Sequence, residues 1–238
     1  MIKQIINNMF SILGYEVRRI NLGQGKVNRE NFVLYSYLKD DGSLDYEKYR
    51  QIQIEGNKRK LELFWVNEEN IIFLSDYIKD HIENPRFGIC HGTRRGKEQE
   101  WFRKYLNCEV IGTEISDTAV QFPHTIQWDF HDVKPEWIDA VDFIYSNSFD
   151  HSYDPEKCLD AWMSCVKKDG FCILEHSSNH EPFKNELDPL DPFRASLNLM
   201  PYLITTWGKG KYGVRELIKA PKVSEGIKFV YFIVIQKF

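Results

Sequence analysis

Between Arg86-Phe-Gly-Ile-Cys90 and Phe171-Cys-Ile-Leu-Glu175, the chain alternates short apolar runs with amphipathic segments. Three more apolar runs lie inside this part, at Glu109-Val-Ile-Gly-Thr113, Ile126-Gln-Trp-Asp129 and Val141-Asp-Phe-Ile-Tyr145. Helical spacing separates them, at residues 96–106, in a short turn at 116–120, and at 155–166. Strands that alternate with helices in this way predict parallel strands joined by right-handed crossovers. We therefore expect an α/β fold built on a doubly wound, mainly parallel sheet.

Two further strand-like runs, residues 212–220 and 228–236, follow near the end of the chain. The second contains Phe229-Val-Tyr-Phe-Ile-Val-Ile235, which is continuously apolar and therefore belongs inside a sheet rather than at its edge. A closing hairpin of these two runs brings the sheet to seven strands. Residues 177–210 contain four prolines and so cannot form one helix. We expect this segment to be an insertion that covers the ligand-bearing edge of the sheet.

The N-terminal third has helical rather than strand periodicity. Residues 2–13 place apolar side chains on one helix face, and residues 45–58 and 68–82 repeat the spacing. Asn67 precedes the last of these segments as a candidate N-cap. We therefore divide the chain into an N-terminal helical extension, residues 1–84, and an α/β domain, residues 85–238, with the insertion at about 177–210.

The composition is that of a globular protein. The 238 residues are 42% hydrophobic and 28% charged, which excludes disorder as the overall state. The net charge of −4 makes a nucleic-acid partner a poor match, because such proteins usually carry a basic surplus. No apolar run reaches the roughly 18 residues of a membrane span, and the start lacks a signal-peptide cleavage site. Five cysteines without a Cys-x-x-Cys pair are typical of reduced thiols, so we expect a cytoplasmic protein.

Polar groups flanked by aromatic residues follow the ends of four predicted strands. Gly92, whose turn exposes backbone N–H groups, follows the first strand, Glu114 the second, Asp129 and Phe130 the third, and residues 147–151 the fourth. In open parallel sheets, ligands bind beyond the carboxyl ends of the strands. Glu114 lies near the offset of about 20 residues from the glycine turn at which an acidic side chain binds ribose hydroxyls. A charge at the N-terminus of the following helical turn is the alternative. Together the four ends predict a site for a flat base with a polar tail.

Residues 86–176 resemble the core of class I S-adenosylmethionine-dependent methyltransferases. The run Val141-Asp-Phe-Ile-Tyr-Ser-Asn-Ser148 is similar to the fourth-strand motif of that family. The run Leu159-Asp-Ala-Trp-Met-Ser-Cys-Val-Lys-Lys-Asp-Gly-Phe-Cys-Ile-Leu174 is similar to the helix, the Lys-Pro-Gly-Gly-like turn and the fifth strand that follow it. The resemblance implies a seven-stranded Rossmann-like methyltransferase fold, S-adenosylmethionine as the cofactor, and methyl transfer as the activity.

The resemblance also implies a role for each matching position. The turn of His91, Gly92 and Thr93 is expected to face the methionine moiety of the cofactor. The other expected contacts are Glu114 with the ribose, Ile115 and Phe130 with the faces of the adenine, Asp129 with its amino group, and Asn147 with the amino-acid portion.

One turn departs from the family pattern. The usual Gly-x-Gly-x-Gly stands here as Cys90-His-Gly-Thr-Arg94, which retains only the middle glycine, and Gly88 replaces an acidic residue. Arg94 or Arg95 is therefore a candidate partner for the carboxylate of the cofactor, because a guanidinium forks onto carboxylates.

Asp150 and His151 are the predicted catalytic residues. A general base is needed only if the acceptor group holds its proton, and a base would sit after the fourth strand, where these two residues lie. A helix-capping aspartate and a surface histidine are the alternative interpretation. The segment 175–181 contains two histidines and two glutamates but is not evidently helical, and we predict no metal site.

These observations predict methyl transfer from S-adenosylmethionine to a small-molecule or glycan-precursor acceptor. The chain contains no nucleic-acid-binding motif, and its N-terminal third is too short for a separate recognition domain. One alternative is an RNA or protein methyltransferase, which needs a basic face on the folded surface. Another is a catalytically inactive, cofactor-binding regulator or scaffold, which the altered glycine turn suggests. A dehydrogenase is disfavoured, because the Gly-x-Gly-x-x-Gly fingerprint is absent.

Overall fold

The computed structural model describes residues 26–29, 32–182 and 188–238, so the predicted helix at residues 2–13 lies outside the described ranges. The helices are α1 (Tyr46–Arg59), α2 (Glu68–His81), α3 (Lys97–Leu106), α4 (Pro155–Cys165) and α5 (Met200–Gly208). The strands are β1 (Lys26–Arg29), β2 (Phe32–Tyr35), β3 (Phe87–His91), β4 (Glu109–Glu114), β5 (Thr125–Gln127), β6 (Val141–Ser146), β7 (Val166–Ser177), β8 (Phe193–Ala195), β9 (Tyr212–Lys219) and β10 (Val230–Lys237).

Seven strands form the central sheet in the order β5-β4-β3-β6-β7-β10-β9. The first five are mutually parallel, and β10 is antiparallel to both β7 and β9. The predicted doubly wound sheet and its closing hairpin are therefore confirmed. The order reverses at β3, because the chain first adds β4 and β5 on one side and then crosses to β6 on the other. This reversal creates the crevice in which such sheets bind ligands.

Both faces of the sheet are buried, which explains why its central strands are continuously apolar. Ile89, Ile144 and Ile233 pack on the face covered by α4 and α5. Their neighbours Cys90, Phe143 and Phe232 point the other way and pack on the face covered by α2 and α3. All six side chains are fully buried.

The helices begin where local capping chemistry is available. Asn67 accepts the backbone N–H of Glu69 at the start of α2, and Asp154 accepts that of Lys157 at the start of α4. Each side chain satisfies one of the N–H groups that a first helical turn leaves without a partner. The N-cap predicted at Asn67 is thus present. None of α1–α5 combines the length and the apolar character that crossing a membrane requires.

The region before residue 84 is not helical throughout. β1 and β2 pair in an antiparallel arrangement, and β8 from the predicted insertion pairs with β2 to make a separate three-stranded sheet. A strand of four residues is too short for a clear periodicity signal, and its partner β8 lies far away in the sequence. The predicted helices at 45–58 and 68–82 are present as α1 and α2.

The predicted insertion is not a continuous irregular segment. It contains the strand β8 and the helix α5, and α5 packs against α4 and β9. Pro201 occupies the first turn of α5. A proline there costs little, because the N–H that it lacks has no helical partner at that position. The prolines therefore limit where helices begin rather than excluding them.

Side chains and backbone groups join the insertion to the N-terminal region. The Tyr35 N–H donates to the carbonyl of Pro192 at 2.7 Å, and the Tyr37 hydroxyl donates to that of Pro189. The Gln53 amide in α1 donates to the carbonyl of Leu190 at 2.9 Å. With the β2–β8 pairing, these bonds make α1 and the tip of the insertion one connected cover over the edge of the sheet.

We predict that Gly88→Ala destabilises the fold by about 1 to 3 kcal/mol, because overpacking a tight core is costly. A Cβ at Gly88 would lie 2.3 Å from the Phe143 ring on the neighbouring strand. Urea unfolding of Gly88→Ala, Phe143→Leu and the double variant provides the test. Because leucine withdraws the ring atoms, the double variant should lose less stability than the sum of the single changes. Simple additivity would show that this contact is not the cause.

Candidate active site

The turn after β3 touches the loop after β6 at the reversal of strand order. Gly92 has φ +72°, and a Cβ at this position would lie 2.6 Å from the Cβ of Ser148. The Ser148 hydroxyl donates to the Gly92 carbonyl at 3.1 Å, while the Gly92 N–H donates to the carbonyl of Thr113 at 2.9 Å. Only glycine combines this backbone conformation with this close approach. The middle glycine of the motif is therefore required by the geometry of the turn.

Arg94 keeps the backbone conformation that a glycine usually provides. Its φ is +42°, in the left-handed region, and its N–H donates to the Glu114 carboxylate at 3.1 Å. Its guanidinium donates to the Leu63 carbonyl at 3.1 Å. The turn thus retains its shape at the third glycine position of the family, and it gains a cationic side chain there.

Glu114 is 6% exposed and ends β4 beside this turn. One carboxylate oxygen accepts the Arg94 N–H, and the other accepts the Ser116 N–H at 3.1 Å. Burial raises the pKa of Glu114, although both backbone hydrogen bonds oppose the rise. A narrow slot lies beside Glu114, lined also by Ile115, Asp129 and Phe130. The structure therefore brings four of the predicted cofactor-binding residues together.

Asp129 is already bonded through both carboxylate oxygens. Oδ1 accepts the His131 N–H and faces the His131 ring at 2.8 Å, and Oδ2 accepts the Tyr46 hydroxyl at 2.7 Å. Burial raises the pKa of Asp129, but the hydrogen bonds from His131 and Tyr46 outweigh it and the net shift is downward. Asp129 is thus a charged acceptor at the edge of the slot, where α1 begins.

The side chain of His91 does not line the site, unlike its neighbours Gly92 and Thr93. Its ring is 3% exposed, stacks on Trp162 with centroids 4.6 Å apart, and forms a 2.8 Å hydrogen bond with the Thr113 hydroxyl. Burial lowers the pKa of His91 to about 3, so the ring is neutral. His91 lines neither the slot nor the cavity beside it, and its side chain is placed in the core rather than toward the predicted methionine moiety.

A cavity of about 660 Å³ adjoins the slot. Gly92, Thr93 and Asn147 lie in its wall, as predicted for the cofactor's amino-acid portion, and Arg94 and Arg95 also line it. The hydroxyl of Thr93 is buried and has no hydrogen-bond partner among the described residues. The hydroxyl is directed at Gly112 of β4, where an added Cβ would lie 2.5 Å from it, so it faces the sheet and not the cavity.

Glu98 is a buried carboxyl in the same wall. It is 6% exposed and accepts the amide of Asn147 at 3.2 Å. Burial raises the pKa of Glu98 to about 7, although the hydrogen bond from Asn147 opposes the rise. Glu98 therefore changes charge near neutral pH.

Asp150 and His151 also face this cavity. Nδ1 of His151 lies 2.8 Å from the Leu190 carbonyl and 2.9 Å from the Gln53 amide oxygen. Both neighbours are acceptors, so Nδ1 carries the proton and Nε2 of the neutral ring has a free lone pair. The structure places the two predicted catalytic residues together on the cavity wall, and neither caps α4, whose cap is Asp154.

The four residues of the His/Glu segment 175–181 do not converge on one point. Glu175 accepts the indole N–H of Trp65 and the hydroxyl of Tyr145, whereas Glu181 accepts the Leu197 N–H and lies 3.7 Å from His176. His180 approaches Asp150 instead, at 3.7 Å.

The sequence analysis missed three residues of the site. Glu98 lies in the first turn of α3, where an acidic residue usually just complements the helix dipole. Asp191 precedes a proline and is typical of a turn, and Tyr46 starts a surface helix. Only the long-range contacts of the fold bring Glu98 and Asp191 to the cavity and Tyr46 to Asp129, so no local signal identifies them.

Residues 89–174 match the methyltransferase domain family. The match covers 86 of the 238 residues. The match starts in β3 and ends in β7, and so includes the glycine turn, Glu114 and the β6 motif. The predicted family is confirmed, and with it the enzyme class, an S-adenosylmethionine-dependent methyltransferase, and the cofactor. The assignment of individual site residues stays a prediction.

Solved structures share the fold of this methyltransferase domain. A 1,6-didemethyltoxoflavin-N1-methyltransferase from Burkholderia thailandensis is 10% identical, with a TM-score of 0.61 over 89% of this chain and 98% of that one. A plantazolicin methyltransferase is 11% identical, with a TM-score of 0.60 over 80% and 97%. The magnesium protoporphyrin IX methyltransferase of Synechocystis PCC 6803 is 10% identical, with a TM-score of 0.56 over 80% and 100%. No curated protein sequence matches the chain.

We predict that Gly92→Ala reduces S-adenosylhomocysteine binding at least tenfold, because the added Cβ must displace Ser148. Gly210→Ala is the matched control, since Gly210 has φ +82° and open space around it. Both substitutions carry the backbone cost of a positive φ, but only Gly92→Ala carries the clash. Calorimetric titration and thermal unfolding measure both variants. Equal binding by the two would argue against the role of the turn.

We predict that Glu98→Gln stabilises the protein at alkaline pH. The folded-state pKa of about 7 lies above the ordinary 4.5, so the folded chain binds a proton that the unfolded chain releases between these values. Stability therefore falls as the pH rises through this window, by up to about 3 kcal/mol above pH 7. The gain of Glu98→Gln should appear in urea unfolding at pH 8 and vanish near pH 4.5. Glu100→Gln, an exposed change on the same helix, should show no such dependence.

Proposed function

We propose that this methyltransferase transfers the methyl group of S-adenosylmethionine to a small molecule, such as a glycan precursor, held in the 660 Å³ cavity. The observation that carries the proposal is the junction of the slot and the cavity. The two share Gly92, Arg94, Ser148, Lys60 and His151, and they meet where the strand order reverses. A cofactor whose adenosine lies in the slot has its reactive end in the cavity.

The polar groups of the slot and the cavity wall suit the cofactor. The anchored carboxylate of Glu114 is an acceptor for ribose hydroxyls, and Asp129 is an acceptor for the adenine amino group. Asn147 lies in the cavity wall, where its amide is suited to the amino-acid portion. Arg94 adds a cation that complements the carboxylate of that portion.

The room in the slot is limited by α1. The slot has a volume of about 50 Å³, enough for a few water molecules, and Tyr49 and Gln53 of α1 line it. A nucleoside therefore requires α1 to move outward. We expect hydrogen exchange in α1 to change when the cofactor binds.

The cofactor supplies a methyl group that its sulfonium already activates, so the protein has little covalent chemistry to perform. The enclosing walls align the acceptor and exclude water. If the acceptor is a hydroxyl, its proton must be removed, and Nε2 of His151 is a free acceptor on the cavity wall. The catalytic role predicted for His151 and Asp150 is part of this proposal.

Several features favour a small acceptor over RNA. The cavity is lined, among others, by residues 60, 63–66, 178–181, 191, 194, 226 and 228. Three of the basic side chains that line it are paired: Arg95 with Glu62, Lys97 with Glu100, and Arg194 with Asp191. These pairs neutralise three of the six lysines and arginines of the wall, whereas Lys60, Arg94 and Lys228 have no ion pair among the described residues. The similar Burkholderia enzyme was solved with bound 1,6-didemethyltoxoflavin, a small molecule.

A cytoplasmic location belongs to the same proposal. All five cysteines are unpaired, and four of them are buried. Unpaired thiols are typical of a reducing compartment.

Calorimetric titration with S-adenosylmethionine and S-adenosylhomocysteine, with NAD as a decoy, tests the cofactor site. We expect micromolar binding of the first two ligands and none of NAD. Glu114→Ala should weaken binding by about 1 to 3 kcal/mol, because a charged hydrogen-bond acceptor is lost. Glu109→Ala, an exposed change at the start of the same strand, should bind as the wild type does.

Two results would contradict the proposal. If the wild type binds neither ligand, the altered turn has lost the cofactor. If it binds both but transfers no methyl group from radiolabelled S-adenosylmethionine across panels of small molecules and glycan precursors, the regulator interpretation is favoured. Methylation of RNA or protein in the same assay would establish a macromolecular acceptor instead.

A further inference from the structure

We infer that Asp150, His151 and Asp191 bind a divalent cation of the Mn²⁺ or Zn²⁺ type in the acceptor cavity. Each residue offers one ligand atom, and the three atoms lie within 4.8 Å of one another. All three residues line the 660 Å³ cavity. They come from two separate parts of the chain, the loop after β6 and the tip of the insertion, so only the folded protein assembles them.

Hydrogen bonding within the protein leaves this cluster unsatisfied. Oδ1 of Asp150 is buried and has no hydrogen-bond partner among the described residues. Nε2 of His151 lies 3.8 Å from Oδ1 of Asp191, which is too long for a hydrogen bond. Two ligands of one cation, each about 2.1 Å from it, are separated by about 3 Å at a right angle and by about 4 Å at wide angles. The 3.8 Å separation of His151 Nε2 and Asp191 Oδ1 therefore suits two ligands of one ion better than a direct hydrogen bond.

The orientation of His151 also matches that of a metal ligand. Its Nδ1–H donates to the Leu190 carbonyl, which fixes the ring and leaves the Nε2 lone pair toward Asp191. Metal-binding histidines usually make such a bond through the second ring nitrogen, because it sets the tautomer and the ring angle. Leu190 directly precedes Asp191, so one short segment supplies both the ligand and the group that orients its neighbour.

The charges around the cluster leave a place for a cation. Asp150 and Asp191 bring two carboxylates into contact with the same cavity. Arg194 lies 3.3 Å from Oδ2 of Asp191, whereas His151 lies near Oδ1. His180 lies 3.7 Å from Oδ2 of Asp150, which leaves Oδ1 of Asp150 free. Lys60, which also lines the cavity, acts on Asp191 from farther away. Asp150 has no lysine or arginine within ion-pair distance among the described residues.

The ligand types define the class of ion. Two carboxylates and one imidazole suit Mn²⁺ and Zn²⁺ better than the all-oxygen shells that Mg²⁺ and Ca²⁺ prefer. Three protein ligands also leave coordination positions open toward the cavity. If the proposed methyl transfer to a hydroxyl is right, an acceptor oxygen in such a position would lose its proton more easily, and the proton would pass to water in the cavity. The ion then replaces Nε2 of His151 as the group that activates the acceptor, contrary to the prediction of no metal.

Metal binding can be measured without the cofactor. The full chain, without a histidine tag, is treated with a chelator and titrated with Mn²⁺ by calorimetry and by the loss of its free-ion electron paramagnetic resonance signal. We expect one site per chain, with competition by Zn²⁺ and a higher unfolding temperature when Mn²⁺ is present.

Asp191→Asn should weaken Mn²⁺ binding at least tenfold and abolish the rise in unfolding temperature. Asp188→Asn is the matched control in the same segment, because asparagine can still accept the Leu190 N–H that Asp188 accepts. The unfolding temperature of each metal-free variant separates loss of the site from loss of the fold. His151→Gln should also reduce the affinity, since it removes the only nitrogen ligand.

The inference is overturned if the wild type binds neither Mn²⁺ nor Zn²⁺ up to millimolar concentration, or if Asp191→Asn binds as tightly as the wild type. The first result leaves His151 as a general base, and the second places the ion elsewhere. Titration of the metal-free chain with S-adenosylhomocysteine measures cofactor binding separately from these two metal-binding results. Cofactor binding without metal binding removes only this inference, whereas metal binding without cofactor binding removes only the proposed function.

Discussion

The contact between Gly92 and Ser148 organises the site. Because Gly92 has no side chain, the turn after β3 can approach the loop after β6 to within van der Waals distance. That approach places Arg94 N–H against Glu114 on one side and directs the loop from Asn147 onward into the cavity on the other. The slot and the cavity are therefore adjacent because of one missing Cβ at the reversal of the strand order.

The sheet could be predicted from the sequence because both of its faces are buried. Apolar runs such as 141–145 then mark strands by composition alone, and the helices between them fix the parallel connections. The positions of Gly92, Glu114 and Phe130 around one crevice followed from the same regularity, since the carboxyl ends of parallel strands meet at one edge. For this reason, the part of the site that lies at the strand ends could be predicted from the sequence.

The rest depends on contacts that leave no local pattern. His91 lies next to Gly92 in the sequence, but its side chain is buried in the core and stacks on Trp162. Asp191 reaches the cavity only because β8 pairs with β2, a contact between residues far apart in the chain. Glu98 has the sequence context of an ordinary helix start. Its raised pKa arises from burial that only the folded structure creates.

The hydrogen bonds that join α1 to the tip of the insertion bear on the order of events during a catalytic cycle. Gln53 of α1 holds the Leu190 carbonyl, and the residue after Leu190 is Asp191. Gln53 also contacts Nδ1 of His151, so moving α1 outward to admit a nucleoside disturbs both Asp191 and His151. We expect the cofactor to bind first and the acceptor's surroundings to be completed only when the cover closes again. Such compulsory ordering prevents an acceptor from occupying a site that has no methyl donor.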